Sequence, residues 1–325
     1  MKILWIMSLI LVCESRVLER SADEKCLCGL AQRSKFGASI ERIVGGGETE
    51  MGEYPWFAIL DYNFTDTDGK DQQSFCGGSL INSQYVLTAA HCANLKSVRT
   101  NPSGVTVAET KMLVTLGDHN SKLTIEANEI KIRPDENLGI QIHPNHTSNS
   151  FYNHYDFALI KLSQKIIWAD HPNIRPICLP VDKKEQYVGR KAIVAGVGFT
   201  DIKPPSVGEH GSNFLKETIL EVSPRDGARC VVLWNHPDLI CTVPASNNSA
   251  CRGDPGGPLI ATRRPEDDGL TPGQNYELIG LVSIGTRGCS IYKESSDYFA
   301  RVTVALDWIK EKLIGSDEPC PRLII

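Results

Sequence analysis

The sequence predicts an all-β protein in which short antiparallel strands form a barrel or a sandwich. Between residues 57 and 162, short apolar runs such as 85–88 and 111–116 alternate with clusters of glycine, asparagine, aspartate and proline. Runs of this length, bounded by turn residues, are typical of antiparallel strands. No helical periodicity in this range is long enough to compete. Near the C-terminus, residues 303–314 place apolar side chains four positions apart and predict one amphipathic helix.

Length and charge restrict the possible functions. With 325 residues the chain is either one large all-β domain or two smaller units. The formal net charge of -5 gives no reason to expect nucleic acid or an anionic membrane as a partner.

The N-terminus predicts secretion. Lys2 precedes an apolar run over residues 3–13, and the small residues Cys13 and Ser15 have the two-residue spacing of a signal-peptide cleavage site. This pattern predicts a signal peptide over residues 1–15, cleaved after Ser15. The run is shorter than the roughly 20 apolar residues that span a bilayer, and no later segment is long enough. We therefore expect a secreted, extracellular protein with no membrane span.

Cysteines and sequons agree with an extracellular location. Eleven cysteines less Cys13 leave ten, so five disulfides are possible in an oxidising compartment, although the sequence alone does not assign their pairing. Asn63, Asn145 and Asn247 each begin an N-X-S/T sequon and are predicted glycosylation sites.

Four short motifs have candidate functions. They read R-I-V-G-G at 42–46, T-A-A-H-C at 88–92, D-F-A-L-I-K-L at 156–162 and C-R-G-D-P-G-G-P at 251–258. Each has an ordinary structural interpretation when it is taken alone. The first fits a strand and a turn, the histidine fits a core or surface residue, and the aspartate fits a turn before a strand. The fourth is a tight loop whose glycines let the backbone approach a ligand.

Together, and in this order, the motifs resemble the trypsin- and chymotrypsin-like serine proteases over residues 43–314. The resemblance implies two antiparallel six-stranded β-barrels of chymotrypsin-like type, at about residues 43–172 and 181–302, with a C-terminal helix at 303–314. Residues 16–42 would be a propeptide or light chain, and residues 315–325 a tail. Residues 173–180 contain two prolines, Pro176 and Pro180, and are expected to be an extended connector.

The resemblance also implies the roles of individual residues. His91 would be the general base, Asp156 the acid that orients it, and Gly253 an oxyanion-hole position. Cleavage between Arg42 and Ile43 would free an amine that pairs with Asp254. The substrate-pocket positions would be Ser249, Ser283, Gly285 and Asp297. The disulfides would be Cys76–Cys92, Cys230–Cys241, Cys251–Cys289 and Cys28–Cys178, which leaves Cys26–Cys320 by subtraction.

Pro255 stands where this family has the nucleophilic serine, and it predicts a pseudoenzyme. Proline has no hydroxyl to attack a carbonyl and no N–H to stabilise an oxyanion. In subtilisin the loss of the serine lowers turnover by about 10⁶, and the loss of one oxyanion donor lowers it by about 10²–10³. Val197, Ile284 and Asp297 also depart from the family pattern, which favours a drifted site over a single accidental change.

The functional hypothesis is a secreted, non-catalytic serine protease homologue. Inactive homologues in arthropods act as cofactors or regulators in clotting and melanisation cascades. The resemblance therefore implies a role in innate immunity, with cascade proteins and a protease that cuts after Arg42 as partners. An active serine endopeptidase, if Pro255 is an error or a variant, and a carrier or adhesion protein are the alternatives. No cofactor is expected. No metal is expected either, because His143 and His146 are interpreted as surface-loop residues that lack metal-ligand spacing.

Overall fold

The computed structural model describes residues 28–32, 47–65, 71–93, 111–120, 129–137, 139–148, 153–198, 212–227, 230, 236–244, 255–264, 274–284 and 296–315. Almost all regular structure in these residues consists of short strands. In chain order the elements are β1 Gly47–Glu48, β2 Phe57–Thr65, β3 Asp71–Leu80, β4 Tyr85–Thr88, α1 Ala90–Ala93, β5 Lys111–Leu116, β6 Ile130–Ile132, β7 Ile140–Ile142, β8 Thr147–Ser148, β9 Asn153–His154, β10 Ala158–Lys161, β11 Lys191–Gly196, β12 Lys216–Val222, β13 Leu239–Pro244, β14 Pro258–Thr262, β15 Tyr276–Ile284, β16 Asp297–Arg301 and α2 Val302–Lys312.

The first half of the chain forms a curled antiparallel sheet. Its strand order is β6-β5-β2-β3-β4-β10-β7, and β8 and β9 form a separate small hairpin. A bridge between Pro134 and Leu162 joins the chain beyond β6 to the end of β10. The Asp135 N–H also donates to the Lys161 carbonyl, at 2.8 Å. These contacts curl the sheet back towards itself around buried apolar side chains.

The second half of the chain forms a closed barrel. Its strand order is β1-β12-β11-β14-β15-β16-β13, and β12 also pairs with β13, so six of these strands form a ring. The closing register pairs Leu220 with Pro244 and Val222 with Thr242. The strand β1 pairs with the first residues of β12.

The two sheets and the C-terminal helix contribute side chains to a common apolar cluster. One cluster of buried residues includes Leu60, Val86 and Leu159 from the first sheet and Leu281 from the second, together with Ile309 of α2. The helix α2 covers Val302–Lys312, close to the predicted span of 303–314. Among the described helices, none has both the length and the apolar character needed to cross a bilayer.

Three of the predicted disulfides are present in the described residues: Cys28–Cys178, Cys76–Cys92 and Cys230–Cys241. The first attaches the segment that precedes the barrels to the connector between them. Next to it, the Gly29 N–H donates to the Pro176 carbonyl and the Tyr276 N–H donates to the Gly29 carbonyl, each at 2.8 Å. The predicted pairs Cys251–Cys289 and Cys26–Cys320 lie outside the described residues.

The predicted all-β fold of chymotrypsin-like type, with a C-terminal helix, is confirmed. Alternating apolar and turn residues located the strands, because a strand between two packed layers needs apolar side chains and a turn needs residues that tolerate its dihedral angles.

Candidate functional site

His91 is held by a short helix at the end of a buried strand. Thr88 ends β4, Ala89 and Ala90 are fully buried, and α1 carries the histidine. The neighbouring disulfide Cys76–Cys92 ties α1 to β3. About a quarter of the His91 side chain is exposed, at 24%. Small buried residues therefore fix the backbone of α1, while the imidazole remains partly accessible to solvent.

Asp156 is completely buried and holds the imidazole of His91. The distance from His91 Nδ1 to Asp156 Oδ2 is 2.7 Å, and the His91 backbone N–H donates to Oδ1 at 2.9 Å. Ser283 Oγ also donates to Oδ2, at 2.6 Å. Burial alone would raise the pKa of Asp156, but the hydrogen bonds and charge of His91 and the hydrogen bond from Ser283 outweigh it and leave this pKa below its ordinary value. The carboxylate therefore stays ionised and orients the imidazole.

Two further side chains around the aspartate were not found by sequence reasoning. Asn153 Nδ2 lies 3.4 Å from His91 Nδ1 and 3.4 Å from Asp156 Oδ2. His146 Nδ1 lies 3.9 Å from Asp156 Oδ1. The only available signal was their position shortly before Asp156 in the chain. Ser283 was predicted as a pocket position, and its contact with Asp156 places it in the same network.

Pro255 lies in a turn that packs against the strand and disulfide next to His91. Its carbonyl accepts a hydrogen bond from the Gly77 N–H at 2.8 Å and lies 3.3 Å from Cys92 Sγ. That sulfur is 3.7 Å from His91 Nε2. The turn is also fixed to β15, because the Gly256 N–H donates to the Val282 carbonyl at 2.7 Å.

Residue 255 offers the imidazole of His91 no reactive side-chain group. The pyrrolidine ring carries neither a hydroxyl nor an N–H, so this residue supplies neither a nucleophile nor an oxyanion donor. The arrangement therefore places an imidazole against a buried carboxylate, and residue 255 adds no hydroxyl for such a pair to activate.

The remaining predicted positions fall in three groups. Asp297 is buried at the start of β16, opposite Thr242 of β13. Asn145 is exposed in a turn, as a glycan acceptor requires, and Asn63 lies in β2. The predicted sites that lie outside the described residues are Arg42, Ile43, Asn247, Ser249, Gly253, Asp254 and Gly285.

The interpretation of His143 as a surface-loop residue is wrong. The side chain is only 7% exposed. Its ring stacks on Tyr155 and contacts Trp308 of α2, each with ring centroids 5.0 Å apart. The Asn145 N–H donates to His143 Nδ1 at 3.2 Å. Pro144 and Asn145, which follow His143, made the segment resemble a surface loop, but the aromatic neighbours come from elsewhere in the chain.

We expect His143 to weaken the fold in mild acid. Burial, and then the charge of His146, lower the pKa of His143 below its usual value. The unfolded chain therefore binds a proton that the folded chain resists, and stability decreases as pH falls below about 6.5. Protonation of Nδ1 would also remove the acceptor for the Asn145 N–H.

The measurement is the melting temperature of the wild type and of the His143→Gln variant between pH 8 and pH 5. The variant should lose less stability over this interval. Comparison at pH 8, where the wild-type imidazole is neutral, isolates the packing effect of the substitution. Parallel pH curves for the two proteins would contradict the prediction.

Comparison with known proteins agrees with this geometry. The Trypsin family model matches residues 43–309. The chain is 32% identical to phenoloxidase-activating factor 3 of Holotrichia diomphalia, over 87% of this chain and 76% of that protein. It is 30% identical to melanization protease 1 of Drosophila melanogaster, over 84% of this chain and 66% of that protein. It is also 28% identical to a venom serine protease of Polistes dominula, over 91% of each.

The match covers the residues that form both sheets and most of α2, and the contact between His91 and Asp156 lies within it. The chain therefore belongs to the trypsin family of serine proteases.

Proposed function

We propose that this protein is a secreted, non-catalytic member of its family that acts by binding other proteins in an extracellular proteolytic cascade. The observation that carries the proposal is Pro255, which lies beside the His91–Asp156 pair and has neither a hydroxyl nor an N–H. A protein that cannot form an acyl-enzyme through this residue can still present the surface around the cleft.

The parts of the site that position side chains are retained, which supports a binding role. Asp156 keeps contacts to His91 and Ser283, and the turn at Pro255 keeps its hydrogen bond from Gly77. Similarity to proteins named for phenoloxidase activation and melanization supports a place in such a cascade. Arg42, Ile43 and Asp254 are all present, so cleavage at Arg42–Ile43 by an activating protease is part of the proposal.

An active endopeptidase is the second candidate, because the geometry of His91 and Asp156 is intact. It would need serine at position 255 or a different nucleophile. Ser283 is a poor substitute, since its hydroxyl donates to Asp156 at 2.6 Å and is thereby committed to the carboxylate. A carrier or adhesion role predicts that partner binding is the same when cleavage at Arg42 is blocked.

One experiment separates these functions. Purified protein is cleaved after Arg42, treated with an active-serine probe, and compared with the Arg42→Gln variant in a pull-down from the extracellular fluid of its source. We expect no probe labelling of either form and a partner that binds the cleaved form only. Labelling of the cleaved wild type would identify an active endopeptidase. Equal binding by the Arg42→Gln variant would argue against the switch.

The N-terminal segment should remain attached after cleavage at Arg42. Cys28 and Cys178 form a disulfide, and both residues are buried. Hydrogen bonds of Gly29 to Pro176 and Tyr276 add a non-covalent attachment. The cleaved protein should therefore migrate as one species on a non-reducing gel and as two after reduction. In the Cys178→Ser variant the predicted Cys26–Cys320 pair would still hold the segment on a non-reducing gel, and the Cys178→Ser, Cys320→Ser double variant should release it. Release from the single variant would contradict the Cys26–Cys320 pairing.

A further inference from the structure

A second cluster of ionisable side chains lies beside the site but does not belong to the triad. It consists of His154, His236 and Asp238, and one donor atom from each of the three lies within 4.8 Å of the others. His154 Nδ1 is 3.4 Å from Asp238 Oδ2, and the two imidazole rings have centroids 4.7 Å apart. The three side chains therefore point at a common space.

The carboxylate of this cluster is fixed in advance. Asp238 is 2% exposed, and its Oδ2 accepts a hydrogen bond from the Tyr155 N–H at 3.0 Å. The Asp238 backbone is held as well, because its carbonyl accepts from the Arg301 N–H at 2.7 Å. A backbone donor to a metal-binding carboxylate orients it and is a common supporting contact in metal sites. The two imidazoles are partly exposed, so an ion can enter from solvent.

We infer that His154, His236 and Asp238 form a binding site for a divalent first-row transition metal, with Zn²⁺ as the representative ion. Two imidazoles and one carboxylate are a ligand set that zinc uses when a fourth position is left for water. Ligands at about 2.0–2.1 Å in a tetrahedron lie about 3.4 Å apart, as His154 Nδ1 and Asp238 Oδ2 do. The remaining donor atoms lie within 4.8 Å of one another, so ion binding requires them to draw closer by up to about 1.4 Å. Ca²⁺ and Mg²⁺ prefer oxygen ligands and are not favoured by two imidazoles.

The three residues of the cluster come from both halves of the chain. His154 belongs to β9, which lies with the first sheet, whereas His236 and Asp238 precede β13 of the second barrel. Asn153, the neighbour of His154, contacts His91. A bound ion would therefore join the two barrels at the edge of the cleft and hold the segment that carries Asn153. This inference does not depend on whether the protein is catalytic.

The test is calorimetric titration of Zn²⁺ into the full chain, without a histidine tag and after treatment with a chelator. We expect one ion per chain and a higher melting temperature in its presence. His154→Gln and His236→Gln should each weaken binding by at least about ten-fold, since even the loss of a supporting contact commonly has this effect. His171→Gln is the matched control, because this partly exposed histidine lies outside the cluster, and it should bind as the wild type does.

The absorption spectrum of bound Co²⁺ is a second measurement, which distinguishes binding at this cluster from binding at cysteine thiolates. Co²⁺ bound by two imidazoles and a carboxylate should show no thiolate-to-metal charge-transfer absorption. Melting of each variant in the presence of chelator shows that it is folded. The inference is overturned if the wild type takes up no Zn²⁺, if the two cluster variants bind as tightly as the wild type, or if the cobalt spectrum shows sulfur ligands.

Discussion

Replacement of Pro255 by serine is expected to convert an unreactive protein into one that an active-serine probe labels after cleavage at Arg42. The substitution returns a hydroxyl to the turn that lies beside the His91–Asp156 pair, and it returns a backbone N–H. His91 Nδ1 is already 2.7 Å from the ionised Asp156, so the base is oriented to accept the serine proton. Loss of the serine in subtilisin lowers turnover by about 10⁶, which sets the upper limit of the gain because Val197, Ile284 and Asp297 remain changed.

Two control variants separate the groups that proline removes. Pro255→Ala restores the N–H without a hydroxyl and should remain unlabelled. Pro255→Ser combined with His91→Ala lacks the base and should lose the gained reactivity. Absence of labelling in a folded, cleaved Pro255→Ser protein would mean that the site has lost more than its nucleophile and one donor.

Gly256→Ala should strongly destabilise the fold, because this residue seats the turn against the first sheet. Its φ is +80°, a conformation that other residues adopt at a cost of about 1–2 kcal/mol. A Cβ at this position would lie 2.2 Å from Thr88 Oγ1 and 2.6 Å from the Gly77 carbonyl oxygen. Overpacking of this kind adds about 1–3 kcal/mol, so the total expected loss is about 2–5 kcal/mol.

Gly189→Ala is the matched control for the conformational part of this loss. Gly189 has a φ of +77°, but a Cβ there meets no atom within 4 Å. It should therefore lose only about 1–2 kcal/mol, from the backbone conformation. The midpoints of guanidinium unfolding for the two variants measure the difference, and equal losses would show that the turn at Gly256 moves to accept the methyl group.

Local patterns determined most of the fold and the chemistry of the central residues. The spacing of apolar runs predicted the strands, and the helix at 303–314 was found as α2 within two residues at each end. The motif that contains His91 and the strand that follows Asp156 predicted a contact that the structure shows at 2.7 Å. These features could be predicted because each motif places its functional residue next to the residues that fix its backbone.

The surroundings of the site could not be predicted in the same way. His143 and the donor to Asp156 at Ser283 depend on which distant segments pack against them. The same holds for His154 and His236, which come from different barrels and meet only when the two sheets are packed together. The spacing of residues within one segment cannot predict such a contact, because the distance between the side chains is set by the tertiary packing.

The sequence by itself determined that this is an all-β protein of the trypsin family with proline at position 255, in a motif that resembles one carrying serine. Those conclusions depend on residue type and local order, and Pro255 lacks its hydroxyl and N–H in any fold. The tertiary structure decided which side chains surround that proline and hold Asp156 ionised, and which three residues form a second cluster across the barrels. They are decided by packing because hydrogen bonds and metal ligation act over a few ångströms in space, however far apart the residues lie in the chain.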